Sequence, residues 1–557
     1  MKLEEVPDIL QEVEQTLKGG ELSPQVEEAV QKLLNLVEQL VAQQRNLAAE
    51  VQRLKELLEA KKRGKTTADQ TAEKKPDDHS SEQQRRERQP PAAKSAHDRR
   101  SFKPLVVHEE RPCPVDPQVL PPDAQRCLDE PVVVQDIRIE AHNIRFLREV
   151  YYSPSLDKYF RGPLPPGFDA GDFGPELRSL IIAPKLKYCG NMSEPKIREL
   201  LDNFAVQVSA GSTSHVLTDT AAEFAADDHE IFLAGVGSTT YQQTDDTSAR
   251  VAGEFWHTHI LCNPFYTLFA THPHKDRLTI LAVLQNIRTE GLQYRFDATT
   301  RQWLAQWKLP HVWQARVAEF GDCTLTAAEL KTKLDAWFGA NRAPQTRLDI
   351  EQAAAIVYYR QQTDVPVVRT LVCDDAPQAK SITESLALCW IHDGRHYAKL
   401  RPVVPSHAEK LAAFQTRYWD YYAKLQRYRD GPSPTFAAEL RTEFDTLFST
   451  QTGYAALDDR IAKTHAQAAE LLTVLTHPQV PLHNNTSELG ARVSARRRDV
   501  SLHSRRPRGA RAMDIFTTLV QTCKKLGVSA YRYFRARLLR SPDHPQLAAL
   551  IRAAASV

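Results

Sequence analysis

The chain has 557 residues, room for roughly three to four domains. Its 42% hydrophobic and 25% charged residues give an ordinary globular composition, and a net charge of +2 argues neither for nor against a polyanionic partner, because local clustering decides that. Eight scattered cysteines with no CxxC pair exclude a disulfide framework, and neither a signal peptide nor an apolar run of about 18 residues occurs, so a cytoplasmic protein without a membrane partner is expected.

Residues 1–60 hold the clearest periodicity. Val26, Val30, Leu33, Val37, Leu40, Gln44, Leu47, Val51, Leu54 and Leu58 alternate spacings of four and three, a heptad seam with one polar position. With no adjacent globular sequence to cover it, the seam predicts a coiled coil and hence a homodimer or higher oligomer. Residues 61–105 follow as a basic linker: positions 61–100 lack every large apolar residue, which predicts disorder.

Residues 106–235 read as a DNA-binding region. The β-branched runs of 131–148 suggest strands. In 193–220, Ser193 and Ser209 are placed to cap two short helices around a tight turn, the outline of a helix-turn-helix. Its second helix would present Ser209, Ser212, Thr213 and His215 to DNA; any αα-hairpin has a similar outline.

From 236 to 275 the pattern becomes three strands with polar turns, and VPVVRTLVCDD (365–375) is a further buried strand. Asp245 and Asp246 are read at the end of the first strand, Asp374 and Asp375 at the end of the later one. Helical patterns fill 378–477, with breaks near GPSP (431–434) and TGY (452–454), and about four helices are expected there. In the final part, 478–557, Glu488 precedes an arginine-rich run and an amphipathic helix, MDIFTTLVQTCKKLG.

Two strand-end acid pairs and a distant Glu form a set suited to phosphodiester chemistry. Carboxylate oxygens can hold two hard cations about 3.5–4 Å apart, one beside the attacking hydroxyl and one beside the leaving oxygen. An isolated acid pair after a strand is usually a turn or a cap, so the order of all three carries the reading. Arg492, Arg496, Arg497, Arg498, Arg505, Arg506, Arg508 and Arg511 face only Asp499 in that stretch, which predicts phosphate contacts.

These blocks resemble the DDE transposases of bacterial insertion sequences, in particular the insertion sequence sixty-six group. TDDTSARV, LVCDDAP, CWIH (a CxxH signature, Cys389 to His392), HNNTSELGAR and GVSAYRYFRARL occur in the family's order. The resemblance implies an α/β chain with an RNase H-like core, a mixed sheet flanked by helices, beginning in 236–377 and interrupted by a helical insertion at 378–477. It also implies cleavage at transposon ends followed by 3′-hydroxyl strand transfer on double-stranded DNA. Asp245, Asp374 and Glu488 would hold Mg2+, with Mn2+ as a substitute. Asp246, Asp375, Cys389, His392 and Arg492 would be auxiliary, and such a protein would associate with the nucleoid when bound to DNA.

Two departures stand out. The family's zinc-binding segment is degenerate, since Cys113 and Cys127 stand alone, and no zinc is expected there. Residues 285–362 look like an extra insertion between the two Asp positions. His257, His259, His272 and His274 fit packing or surface roles better than a metal site. A DNA-binding protein derived from a transposase, and a metal-dependent nuclease without strand transfer, remain alternative readings.

Overall fold

The heptad stretch folds as one long helix. In the computed structural model, which describes residues 6–18, 23–62, 107–115, 131–134, 139–169, 171–185, 190–340, 342, 344–501 and 503–556, α1 (Val6–Lys18) is followed by α2 (Pro24–Lys62). The linker residues beyond 62, Cys127 and Cys189 lie outside the described residues. The expectation that nothing covers α2 needs correction. Glu38 accepts hydrogen bonds from the amides of Val403 and Val404, both at 2.8 Å, and Gln31 and Asn35 donate to the Gly453 carbonyl at 2.8 and 3.0 Å. Val41 packs with Leu10 and Val404 beside them. The docked face takes in part of the heptad seam, since Val37 packs against this cluster, whereas Leu33, Leu40, Leu47 and Leu54 remain 61%, 55%, 68% and 49% exposed.

Residues 131–134 and 139–149 form no strand among the described residues, contrary to expectation, because β-branched composition alone supplies no pairing partner. A hairpin follows instead, β1 (Val150–Ser153) against β2 (Lys158–Arg161). Helices α3 (Pro175–Lys185), α4 (Glu194–Asp202), α5 (Ala210–Glu223) and α6 (Ala225–Val236) come next. Ser193 and Ser209 cap α4 and α5 as expected, accepting from the amides of Lys196 and Ser212.

The three expected strands are β3 (Tyr241–Val251), β4 (Glu254–Cys262) and β5 (Thr267–His272). Ala252 and Gly253 close the first hairpin with φ of 52° and 87°, the paired left-handed geometry of a two-residue turn. Then come α7 (Arg277–Val283), β6 (Gln293–Phe296), α8 (Ala298–Gln306), α9 (His311–Ala318), β7 (Cys323–Thr326), α10 (Ala327–Phe338) and α11 (Gln345–Gln361). β6 and β7 pair only with each other, so this insertion carries its own small sheet. α11 packs chiefly on β6 and α8 of this insertion and ties it to the main core: Ile350, Ala354 and Ile356 are fully buried, and Tyr359 Oη accepts from the Val368 amide at 2.8 Å.

β8 (Thr370–Cys373) and β9 (Ser385–Leu388) complete a five-stranded mixed sheet in the order β5-β4-β3-β8-β9. β3 to β5 are antiparallel, whereas β8 is parallel to both β3 and β9. β9 lies in the stretch where helical patterns are expected to dominate; its short apolar run SLAL does not reveal its period. Beyond it are α12 (Trp390–Ala398), α13 (Pro405–Asp430), α14 (Pro434–Phe448), α15 (Ala455–Ala466), α16 (Ala468–Leu471) and α17 (Thr473–Thr476), with breaks at the two expected places. Trp390 holds this group together, within an aromatic cluster of Tyr418, Tyr421, Phe444 and Phe448.

The chain returns to the sheet through α18 (Asn485–Val500), α19 (Pro507–Lys525), α20 (Ala530–Leu538) and α21 (Leu547–Ala555). Alternation along β4 and β5 separates two faces. Leu261, Leu268 and Ala270 join the large core, while Ile260, Cys262 and Phe269 meet Ala491 and Val493 of α18. α19 seals the β5 edge. Asp514, Thr518 and Thr522, one turn apart, accept from the amides of Thr271, Phe269 and Thr267 at 2.8, 3.0 and 3.4 Å.

Candidate active site

β3 runs parallel to β8 only through Tyr241–Gln243, the last pair being Gln243 with Val372. Asp245 and Asp374 each stand two residues past that pair, so alternation keeps both on the face of their paired predecessors. The ends of parallel strands form the crevice where ligands bind in open α/β sheets. Asp245 is not at a strand end, as the sequence suggested, because β3 continues to Val251 as a hairpin arm. Asp374 does follow its strand directly.

Burial pushes the Asp245 carboxyl up to about 7, and the charges of Asp374, Glu488 and Asp246 add to this, against the opposing pull of the Asp246 amide. Asp374 is also raised, first by burial, with His392 opposing. Asp245 Oδ1 accepts from the Asp246 amide at 2.8 Å. The neighbouring acids have cationic or imidazole neighbours: Asp246 lies 3.9 Å from His257 and 3.7 Å from Lys275, and exposed Asp375 lies 3.5 Å from Lys380, while the charges of both also bear on Asp374.

Glu488 enters from the first turn of α18, where the helix dipole favours an anion. Two features fix that helix. Gly490 permits close approach, since a Cβ there would lie 2.8 Å from Ile260 Cγ2. Ile260 is the residue paired with Asp245, so the close contact brings Glu488 toward Asp245. The second feature is fully buried Asn484, which donates to the Thr244 carbonyl at 2.7 Å and accepts from Ser487 Oγ at 2.6 Å. Asn484 had no assigned role in the sequence reading; the quoted Asn-Asn pair of HNNTSELGAR was its only signal.

Cys389 and His392 lie on either side of the junction between β9 and α12. Cys389 extends the sheet, its amide donating to the Cys373 carbonyl at 3.0 Å, and His392 sits in the first turn of α12. The CxxH signature therefore belongs to the sheet's edge and not to the helical insertion. His392 Nδ1 lies 3.8 Å from Glu488 Oε1, and ligand atoms of Cys389, His392 and Glu488 all fall within 4.8 Å of one another. Arg395 donates to His392 Nε2 at 3.2 Å, which leaves the Nδ1 proton facing Glu488. His259 and His272 are buried against each other with ring centroids 5.9 Å apart, a packing role.

The arginine run divides. Arg497 reaches inward, donating to Thr517 Oγ1 at 3.0 Å with buried Asp514 nearby, so it is withdrawn from the expected phosphate-contacting set. Arg498 holds the β3–β4 hairpin through Thr247 Oγ1, at 3.1 Å, and the Ser248 carbonyl. Arg511 pairs with fully buried Asp228 at 2.9 Å, and Arg508 with exposed Asp219 at 2.8 Å. Arg492, Arg496, Arg505 and Arg506 are exposed. On α5, Thr213 is fully buried and donates to the Ser209 carbonyl at 3.1 Å, so it faces the core and not a groove. Ser209 and His215 are exposed, and Ser212 is half-buried.

Fold and site together define a mixed α/β protein whose five-stranded sheet carries Asp245 on β3 and Asp374 just past β8, with α18 packed against β3 and β4. The chain belongs to the Transposase IS66 family: that family's profile matches residues 345–512, from α11 through the arginine run. It is also 30% identical over 323 residues to an uncharacterised protein, y4jO, of Sinorhizobium fredii, covering 58% of this chain and 99% of that protein. No solved structure matches the chain.

Proposed function

We propose that this protein is a DDE transposase that cleaves double-stranded DNA at transposon ends and joins the freed 3′-hydroxyl to target DNA, with Asp245, Asp374 and Glu488 as its acids. The observation that carries the reading is the register of β3 and β8, which sets Asp245 and Asp374 side by side beyond the same residue pair with Glu488 interacting from α18. Family membership supports DNA as the partner. An RNase H-like core is supported by the strand order: counted along the chain, the sheet reads third, second, first, fourth, fifth, with the first three antiparallel and the rest parallel.

The donor set fits divalent cations. Oxygen ligands suit Mg2+ and Mn2+, and mutual repulsion with burial raises Asp245, a cost that a cation relieves. When bound, such ions supply Lewis-acid polarisation of the phosphodiester and activation of the attacking hydroxyl. The chain's own work is positional. Asn484 and Gly490 fix α18 against β3 and β4, His392 directs its Nδ1 proton at Glu488, and exposed Arg492, Arg496, Arg505 and Arg506 offer phosphate contacts. The exposed seam of α2 supports assembly as a coiled coil, with residues 106–235 contributing DNA contacts through α4 and α5.

The test is strand transfer with pre-cleaved ends and Mg2+ or Mn2+. Equal activity of wild type and Asp374→Asn would sink the catalytic assignment. Cleavage without joining would instead identify a nuclease.

A further inference from the structure

A small, half-open cavity of about 30 Å³ lies between the β3–β4 hairpin and the junction of α18 with α19. Arg250, Arg497 and Arg498 line it together with Ser494, Ser501 and His503, and no carboxylate is among its described lining residues. Arg498 spends one nitrogen on Thr247 and Ser248, and Arg497 has Asp514 behind it, yet burial still holds both guanidinium groups below their ordinary range. Gathering cations in a partly desolvated recess is costly without an anion.

Ser494 supplies an independent sign of a ligand. It is only 2% exposed, it lines the cavity, and its Oγ is buried without a hydrogen-bond partner among the described residues. Buried hydroxyls in folded proteins are nearly always bonded, so this one points to an absent acceptor. An anion with several acceptor oxygens satisfies the Ser494 hydroxyl and the guanidinium groups of Arg250 and Arg498 at once, with Arg497 held behind them by Thr517 and Asp514, and phosphate matches guanidinium geometry best.

The location selects the kind of phosphate. Ser494 is six residues beyond Glu488 on α18, about 9 Å along the helix, and Arg250 is five residues beyond Asp245 on β3. At 3.4 Å of rise per nucleotide on one strand, that distance is roughly three nucleotides. We propose that this cavity is a phosphate site that receives one phosphodiester group of the DNA strand lying across the three acids. Its placement on DNA rests on the transposase reading; its affinity for phosphate does not.

The test uses the full-length protein without divalent cations. Thermal melting is recorded in sodium phosphate and in sodium chloride of equal ionic strength, and a labelled duplex is titrated by fluorescence anisotropy over a range of salt. Phosphate raises the wild-type Tm beyond chloride, and Ser494→Ala and Arg250→Gln each lose that increment. For Arg250→Gln, duplex affinity falls about tenfold and the salt slope drops by about one. Arg250 is exposed and stacks on Phe255 at the surface, so its variant remains informative if Ser494→Ala is unstable.

No phosphate increment in the wild type, or the same increment in both variants, overturns the site. Loss of cleavage in Asp374→Asn with no phosphate increment sinks the site alone. An increment confined to proteins with an intact cavity, alongside Asp374→Asn that still cleaves, sinks the transposase reading and leaves the site standing.

Discussion

Asp245, within β3, and Asp374, directly after β8, each stand two residues past the Gln243–Val372 pair. Burial raises both carboxyls first, with the charges of Asp374 and Glu488 adding at Asp245 and that of Asp246 at Asp374, while Asp246 and Asp375 also lie near Lys275 and Lys380. Asp245→Asn, Asp374→Asn and Glu488→Gln should each abolish metal-dependent cleavage. DNA affinity should stay level or rise, because a negative charge near phosphate has gone. Gel-based cleavage and anisotropy on the same preparations check both halves.

The Asp245 carboxyl, raised to about 7, sets a pH dependence. Cation binding requires the ionised form, so affinity should weaken below about pH 7 and binding should release a proton there, but little above pH 8. The stability sign follows from the same shift. Between about pH 4 and 7 the folded protein keeps a proton that the unfolded chain has lost, so metal-free protein loses stability as pH rises through that window. Asp245→Asn should flatten this dependence. Calorimetry in buffers of different ionisation enthalpy measures the proton release, and a pH series of denaturant melts measures the stability.

Gly490 tests whether the approach of α18 matters to chemistry as well as to packing. An added Cβ at 2.8 Å from Ile260 Cγ2 must push the helix off the sheet or displace a residue paired with Asp245. Gly490→Ala should cost about 1–3 kcal/mol of stability and lower cleavage disproportionately. Ile260→Ala in the same chain should recover part of the activity by opening space. Rescue of stability with no rescue of cleavage would refute the positional argument.

Asn484 reaches across to the Thr244 carbonyl, one residue before Asp245, from the residue that caps α18. Asn484→Asp replaces that donor with an acceptor facing a carbonyl, so the α18 entry should loosen and cleavage should drop roughly 10- to 100-fold, the range seen when supports of metal ligands are removed. Asn484→Ala leaves the Thr244 carbonyl without its partner and should cost about 1–3 kcal/mol. A metal titration separates the effects: a purely structural role would lower Tm while leaving the metal concentration for half-maximal cleavage unchanged.

What the sequence disclosed follows the range of the forces involved. Ser193 and Ser209 were readable as caps because a cap depends on the next three residues, and the β3, β4 and β5 strands because their period is two. β9 escaped because four apolar residues carry no period. The arginines show the same limit. A run of positive charge looks like one surface, but Arg497 and Arg511 find Asp514 and Asp228 only after the chain folds. The convergence of Asp245, Asp374 and Glu488 was suggested by motif order, whereas Asn484 and Gly490, which create the convergence, act through contacts with β3 and β4.

The two faces of α2 make assembly separable from folding. Gln31, Asn35, Glu38 and Val41 bind the helical region, and Leu33, Leu40, Leu47 and Leu54, seven residues apart, face away from it. Four leucines at 49–68% exposure on one helix are a poor solvent surface and a good knobs-into-holes seam. Leu40→Glu with Leu47→Glu should convert an oligomer to a monomer in analytical ultracentrifugation. Since neither side chain touches the docked face, the melting of the α13–α15 region should change little apart from the concentration dependence that assembly confers. Glu38→Gln should do the reverse. It weakens the bonds to the Val403 and Val404 amides and releases α2 from the helical region, with the seam and its oligomeric state intact. A monomeric wild type, or a Leu40→Glu, Leu47→Glu protein that keeps the wild-type mass, would remove the seam from the account of assembly.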